Sequence, residues 1–158
     1  MNNILEPIWA IACSSSIIDQ QTNSVSLINV LERILVQEDL FKRADNKKII
    51  SFPIQVISLW RRLDKEPFKK ISQIEARAEL LDPEEKVVYA QNFNLTLEEN
   101  KERLRHRLMF EGLPLTIPGI YRFKISLSKS QQVVYVPLRI KEVKELPRRE
   151  IGKILAKK

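Results

Sequence analysis

The chain has 158 residues, of which 44% are apolar and 30% are charged, and its formal net charge is +7. A single domain of this size can bury a core without disulfides or metals. One cysteine, one histidine and three glycines exclude an internal disulfide, a glycine-rich phosphate loop and most zinc sites. No apolar run approaches the ~20 residues that cross a bilayer, and the first residues lack the basic start of a signal peptide. We therefore expect a cytoplasmic protein with no membrane span and no cofactor.

The dominant pattern is an alternation of apolar and polar residues, which is typical of strands with one buried face. Near the N-terminus two apolar runs, 7–18 and 25–35, flank six polar residues and predict a hairpin. The polar segment 36–48 follows, and we interpret it as a connection between two sheets that can hold a helical turn. The run 49–63 changes phase near Val56, which indicates a bulge or a strand buried on both faces.

Further along the chain, residues 74–80 and 87–97 alternate on either side of an Asp-Pro turn, which predicts a second hairpin. Residues 103–110 alternate with arginine at every other position up to 107. The clearest alternation covers 120–128 and then 134–140, with a short polar connection, and predicts a third hairpin. About eight closely spaced strands with almost no helical pattern predict an all-β fold, an antiparallel two-sheet sandwich.

The sequence indicates one domain and a tail. We place a β-sandwich domain at residues 1–142 and a basic C-terminal tail at 143–158. Pro147 interrupts the tail, and the apolar residues after it have helical spacing. A helix of about ten residues is marginal in water, so the tail is expected either to pack on the domain or to fray.

Two strand motifs close the predicted sandwich, Pro-Gly-Ile-Tyr-Arg-Phe at 118–123 and Val-Pro-Leu-Arg-Ile at 136–140. With the opening hairpin, this pattern resembles a family of uncharacterised bacterial proteins that have an immunoglobulin-like sandwich. The resemblance covers about residues 7–140 and implies that fold. It implies no activity, because no catalytic residues are established for such a family. Pro137 has no N–H to donate, so its strand is expected to lie at a sheet edge or to carry a bulge there.

Few residues are suited to catalysis or metal binding. His106 lies on the inward phase of its run, which favours a histidine of the core or sheet rim over a catalytic one. Cys13 lies in an apolar stretch without nearby cations, which favours a small hydrophobe over a nucleophile. The aspartates of the predicted connections occur singly, and a calcium site would need several to converge; they are Asp19, Asp39, Asp45, Asp64 and Asp82. We therefore expect no catalytic residue, no metal site and no enzyme activity.

Positive charge is concentrated in two segments. Residues 101–107 carry four basic residues and one acidic residue, residues 141–158 carry seven and three, and the rest of the chain carries 16 of each sign. Three alternating arginines, the arginine ladder, share one strand face at a spacing of about 6.6 Å. They can contact phosphates or an acidic partner, or they can be solvated or paired in the sheet with Glu75 and Glu79. The candidate anion- or partner-binding residues are Arg103, Arg105, Arg107, Arg148, Arg149 and Lys153.

These features favour a non-enzymatic binding or assembly module that contacts a protein partner. Depending on where the predicted bulge falls, either Ile57 and Leu59 or Val56 would face outward and leave an apolar strip for that partner. The alternative is anion or nucleic-acid binding through the arginine ladder and the basic tail. Most aromatic residues lie on inward phases, which gives no support for base stacking. The sequence indicates neither the identity of the partner nor an oligomeric state.

Overall fold

The computed structural model of the protein describes residues 4–19, 21–22, 24–42, 49–63, 72–128 and 131–145. Within these ranges the fold is all-β, with eleven strands and one helical turn. The strands are β1 (Leu5–Ile18), β2 (Val25–Val30), β3 (Arg33–Gln37), β4 (Ile49–Ile50), β5 (Ile54–Arg62), β6 (Ser72–Leu81), β7 (Val87–Leu97), β8 (Arg103–Phe110), β9 (Leu113–Pro114), β10 (Gly119–Leu127) and β11 (Val133–Val143). The helical turn, α1 (Asp39–Lys42), lies in the segment predicted to connect two sheets.

Two sheets contain most of the strands. A four-stranded sheet has the order β2-β1-β5-β8, and a five-stranded sheet has the order β3-β11-β10-β6-β7. The strands β4 and β9 form a separate two-stranded ribbon. The three predicted hairpins, β1–β2, β6–β7 and β10–β11, are confirmed, and each is antiparallel.

The expectation of a strictly antiparallel sandwich is wrong at one edge. β3 runs parallel to β11, with Arg33 opposite Arg139. The run 25–35, predicted as one strand, breaks after Val30, close to Asn29, whose φ is +50°. The chain leaves the four-stranded sheet at this break and joins the edge of the five-stranded sheet. Because it then runs in the same direction as β11, the larger sheet is mixed.

The core lies between the two sheets. Phe110 of β8 packs against Phe123 of β10 with ring centroids 4.9 Å apart, and Trp60 and Tyr121 are fully buried. Residues from both sheets belong to one hydrophobic cluster. The inward phases predicted for β10 and β11 are confirmed. Val134 is partly buried and packs against the core, and the other members are buried: Tyr121, Phe123, Ile125, Leu127, Val136, Leu138 and Ile140.

The strand β5 explains the change of phase near Val56. Val56 and Trp60 face the core, whereas Ile57 points to the opposite side of the sheet and is also fully buried. The strand is therefore buried on both faces, which is one of the two predicted alternatives. The register shift lies on the neighbouring strand β1, between Pro7 and Trp9.

The entry into β10 is held by a buried tyrosine hydroxyl. The Thr116 N–H donates a hydrogen bond to the Tyr121 hydroxyl at 2.8 Å, and that hydroxyl donates to the Ile117 carbonyl at 2.8 Å. The preceding Gly119 has a φ of +146°. A Cβ at this position would lie 2.6 Å from the Pro83 Cγ, so both the backbone conformation and the close approach require glycine.

Pro137 lies where β11 is locally an edge. β3 begins opposite Arg139, whose N–H donates to the Glu32 carbonyl at 3.0 Å. By alternation the Pro137 nitrogen faces the same side, two residues beyond the described end of β3. The expectation of an edge strand or a bulge is wrong, because β11 lies between β3 and β10. The missing N–H is tolerated because β3 pairs with β11 only from Arg139 onward.

Candidate functional site: the outer face of the four-stranded sheet

The four-stranded sheet turns one face away from the core, and we call this surface the outer face. Alternate residues of neighbouring strands form rows across it, because antiparallel partners share a face. Its rows are Glu6, Arg61 and Arg103; Trp9, Leu59 and Arg105; Ile11, Ile57 and Arg107; and Val30, Cys13, Gln55 and Met109.

The centre of the outer face is apolar, and apolar atoms reach solvent at its two borders. Met109 on β8 is 61% exposed, and Val30 on β2 is 52% exposed. Cys13 and Gln55 lie between them in the same row. Cys13 is fully buried, and so is Ile57 in the adjoining row. The phase of Ile57 and Leu59 is thus the outward one, but the exposed apolar surface comes from flanking strands rather than from Ile57. With neighbouring strands about 4.8 Å apart, the row from Val30 to Met109 spans about 14 Å.

The arginine ladder lies along the β8 border of this face. Arg103 and Arg107 are exposed, and Arg105 is half-buried. On β5 the residues opposite them are Arg61, Leu59 and Ile57. Within the described residues neither Arg103 nor Arg107 has an ion-pair partner, and the ladder therefore presents positive charge beside apolar side chains.

The proposed pairing of the ladder with Glu75 and Glu79 is wrong. Both glutamates lie on β6, in the other sheet. Glu79 accepts hydrogen bonds from Lys124 Nζ at 2.9 Å and from Arg77 Nε at 3.0 Å. The bond from Lys124 and the bond from Arg77 outweigh partial burial and hold the pKa of Glu79 below its ordinary value. Strand order, which the sequence does not reveal, separates the ladder from these carboxylates.

One cluster of charged residues could not be predicted from the sequence, because it depends on strand pairing. Arg62 at the end of β5 is buried, and its Nη1 donates to the Glu98 carbonyl at 2.9 Å. Together with Lys101 and Arg103 it lines a cleft of about 190 Å³, and Lys101 forms an ion pair with the Glu98 carboxylate. In the sequence, this cluster is indicated only by the Arg-Arg pair near the end of the run 49–63. Alternation alone does not place that pair beside β8.

His106 lies on the inner face, at the rim between the two sheets. Its ring stacks on Phe93 of β7 with centroids 4.4 Å apart and an interplanar angle of 14°. Burial lowers the pKa of the imidazole, so the ring is neutral at pH 7. The Nδ1 atom is buried and has no hydrogen-bond partner among the described residues.

The single cysteine lies in the middle of the outer face. Cys13 is fully buried between β2 and β5. Burial raises the pKa of its thiol above the ordinary value, although a hydrogen bond with the Ser15 backbone acts in the opposite direction. The thiol is therefore protonated at neutral pH and packs as a small apolar group.

Two of the described aspartates, Asp82 and Asp19, hold turns, and Asp39 begins α1. Asp82 is buried, and its carboxylate accepts hydrogen bonds from the N–H groups of Glu84 and Lys86 and from the Thr116 hydroxyl. Asp19 accepts bonds from two N–H groups of the β1–β2 turn. No group of three or more His, Cys, Asp or Glu side chains in the described ranges is arranged to hold a metal ion. Asp45 and Asp64 lie outside the described residues.

Most of the basic tail lies outside the described residues. β11 extends to Val143, the first residue of the predicted tail. The candidate residues Arg148, Arg149 and Lys153, and the helical spacing predicted for the tail, lie outside the described residues. In the part of the chain that the structure describes, no helix is long and apolar enough to cross a membrane.

Comparisons with known proteins assign the chain to no family, so the functional proposal below is based on the outer face. No family model matches the sequence, and no curated protein matches it. A solved structure, that of a glycosyl hydrolase family 2 member from Bacteroides cellulosilyticus DSM 14838, is similar to part of the chain, with a TM-score of 0.43 and 17% identity. The similarity covers 56% of this chain and 12% of that one, so the chain spans only a small part of that protein's length.

Proposed function

We propose that the protein is a non-enzymatic binding or assembly module that contacts a protein partner through the outer face. The observation that carries the proposal is the combination of exposed Met109 and Val30 around a buried apolar centre, with exposed Arg103 and Arg107 along one border. Protein interfaces combine an apolar centre with a polar rim, and they are enriched in Met and Arg.

An immunoglobulin-like form of the sandwich is part of this proposal. The hydrogen bonds of the Tyr121 hydroxyl to the backbone of Thr116 and Ile117 support it, because immunoglobulin-like domains use a tyrosine corner of this kind. The shared core of the two sheets supports it as well. Such domains bind partners through sheet faces, edges and loops, so the fold is compatible with a binding role without specifying one.

The non-enzymatic part rests on the two residues best suited to acid–base or nucleophilic chemistry. His106 is stacked on Phe93 with its pKa lowered by burial, and the thiol of Cys13 is buried with its pKa raised. We expect no turnover of generic ester or phosphate substrates by the purified protein. Clear turnover that His106→Ala abolishes would contradict the proposal.

The binding role is tested by quantitative affinity purification with matched surface variants. The baits are the wild type, Val30→Glu/Met109→Glu, and Tyr135→Glu, incubated with extract of the source cells. Tyr135 is 52% exposed on the other sheet, so its substitution is the control for an added surface charge. We expect one or a few proteins to be retained by the wild type and the control and reduced at least about tenfold by the double variant. Equal retention by all three baits would contradict the proposal.

Anion or nucleic-acid binding is the second candidate, and one observation favours it. Arg103 and Arg107 are exposed and have no ion-pair partner in the described part of the chain. They are four positions apart on β8, which corresponds to about 13 Å. Phosphate binding releases counterions, so retention on mixed-sequence nucleic acid or heparin should fall steeply between low and physiological salt. Absence of retention at low salt, or a response that Arg103→Glu/Arg107→Glu leaves unchanged, would remove this candidate.

A further inference from the structure

The strand β8 forms an edge of the four-stranded sheet. Among the described strands it pairs only with β5. It covers eight residues, Arg103–Phe110, which is long enough for a full ladder with another strand. Because edge strands carry backbone N–H and C=O groups without strand partners, they are templates for the addition of a further chain.

The register determines which residues face this edge. The Arg62 N–H donates to the Glu102 carbonyl at 2.8 Å. In an antiparallel ladder, residues bonded to one neighbour alternate with residues whose backbone groups point to the other side. The even-numbered residues of β8 therefore bond to β5, and the odd-numbered residues direct their backbone groups toward the edge. These edge-facing residues are Arg103, Arg105, Arg107 and Met109.

The side chains of these same residues lie on the outer face. Their backbone groups and their side chains can therefore contact one ligand at the same time. In an added antiparallel strand, the residue opposite an edge-facing residue has its Cα about 5.5 Å away and its side chain on the same face. Acidic residues at alternate positions of the added strand would thus lie opposite Arg103 and Arg107. Opposite charges in such pairs are stabilising, and like charges are destabilising.

The charge of β8 also favours a partner protein over a second copy of the chain at this edge. A second copy of the chain is disfavoured, because pairing β8 with β8 brings arginines opposite arginines. The outer face alone is small, since four rows spanning about 20 Å by about 14 Å give about 300 Å². A standard interface buries about 800 Å² on each partner. An added strand enlarges the contact and contributes backbone hydrogen bonds.

We infer that β8 is the docking edge for an extended acidic segment of a partner protein, which adds as an antiparallel strand with carboxylates at alternate positions beside the arginine ladder. This inference rests on the proposed function and specifies how and with what chemistry the partner binds. Specificity comes from the charge of alternate side chains, and the backbone hydrogen bonds supply sequence-independent affinity. The apolar border at Met109 accepts an apolar residue at one end of the segment.

The probe is a capped seven-residue peptide in which glutamate alternates with valine. One control peptide carries lysine in place of glutamate, and another carries N-methyl groups on the amides that would bond to β8. Amide hydrogen exchange and chemical shifts of the ¹⁵N-labelled protein are followed by NMR. We expect the acidic peptide to slow exchange of the Arg105 and Arg107 amides at least about fivefold at millimolar concentration, and both control peptides to leave it unchanged.

A charge swap provides the matched protein variants. In Arg103→Glu/Arg107→Glu the preference should reverse, so that the lysine peptide protects the β8 amides and the glutamate peptide does not. Arg139→Glu, an exposed position on β11 of the other sheet, should behave like the wild type. Both substituted arginines are exposed, so folding of the swap variant is verified by its unchanged spectrum away from β8.

The outcomes distinguish this inference from the proposed function. If neither peptide protects the β8 amides, or if the N-methylated peptide protects them equally, strand addition is overturned. Equal protection by both peptides in the wild type would overturn the preference for an acidic segment. If the affinity purification still shows a partner that the Val30→Glu/Met109→Glu variant loses, the binding role stands and only its mode is wrong. If the swap variant instead loses salt-dependent retention on nucleic acid and the peptides have no effect, the ladder binds phosphates.

Discussion

The hydroxyl of Tyr121 offers the most specific test of the forces that hold the sandwich together. The substitution Tyr121→Phe removes one oxygen from a fully buried ring and keeps the ring itself. It deletes the bond donated to the Ile117 carbonyl and leaves the Thr116 N–H without its acceptor, both at 2.8 Å. The change therefore isolates hydrogen bonding from packing.

The expected cost follows from these two bonds. The donated bond contributes a net of about 1 kcal/mol, and a partly buried N–H without an acceptor costs a further 1–2 kcal/mol or so. We expect a loss of about 2–3 kcal/mol in the free energy of unfolding. With a urea dependence of about 2 kcal/mol per molar for a domain of this size, the midpoint should fall by about 1–1.5 M.

The measurement is equilibrium urea unfolding of the wild type, Tyr121→Phe and Tyr135→Phe. Tyr135 lies on the adjoining strand β11 and is exposed, so its substitution should change stability by less than about 0.5 kcal/mol. Equal midpoints for the two variants would refute the role assigned to the Tyr121 hydroxyl. A change in the slope would point instead to an altered denatured state.

Three further predictions concern Gly119, Asp82 and His106. Gly119→Ala should cost about 2–3 kcal/mol, since alanine disfavours the positive φ and its Cβ would meet Pro83 at 2.6 Å; a urea midpoint within error of the wild type would contradict this. Asp82→Ala should cost about 2 kcal/mol because it removes the acceptor of three hydrogen bonds, whereas a loss below about 0.5 kcal/mol in thermal or urea unfolding would exclude that role. Burial lowers the pKa of His106 below its ordinary value of 6.5, so the unfolded state takes up a proton first on acidification. Stability should therefore fall as the pH decreases through about 6.5 toward the lowered pKa of the folded state. His106→Leu should flatten this part of the profile, and an unchanged slope would show that another group is responsible.

Most of the strands could be predicted because their signal is local. The alternation in β10 and β11 places apolar residues on one face, and a single buried face enforces that phase along the strand. The short polar turns between paired runs identified all three hairpins. The phase change near Val56 was informative for the same reason, because a strand that is buried on both faces carries apolar residues in both phases.

Sheet membership and strand order could not be predicted, since they depend on contacts distant in sequence. The run 25–35 gave no sign that the chain changes sheets after Val30, and the parallel pairing of β3 with β11 follows from that crossing. The same limit explains the error about the arginine ladder. Glu75 and Glu79 have the right alternation to pair with it, but β6 lies in the other sheet.

The candidate site was predicted in part. The common face of Arg103, Arg105 and Arg107 follows from their spacing and is confirmed, whereas the neighbouring apolar rows come from β1, β2 and β5, whose register alternation does not determine. The half-burial of Arg105 could not be predicted either.

Site-specific photo-crosslinking in living source cells tests the binding role most directly. A photoreactive benzoylphenylalanine is placed at Met109 on the outer face or, as the control, at Tyr135 on the other sheet; both positions are exposed. We predict a discrete protein adduct from Met109 that the added substitutions Arg103→Glu/Arg107→Glu suppress, and no matching adduct from Tyr135. The same adducts from both positions, or no protein adduct from Met109, would contradict a partner-binding outer face.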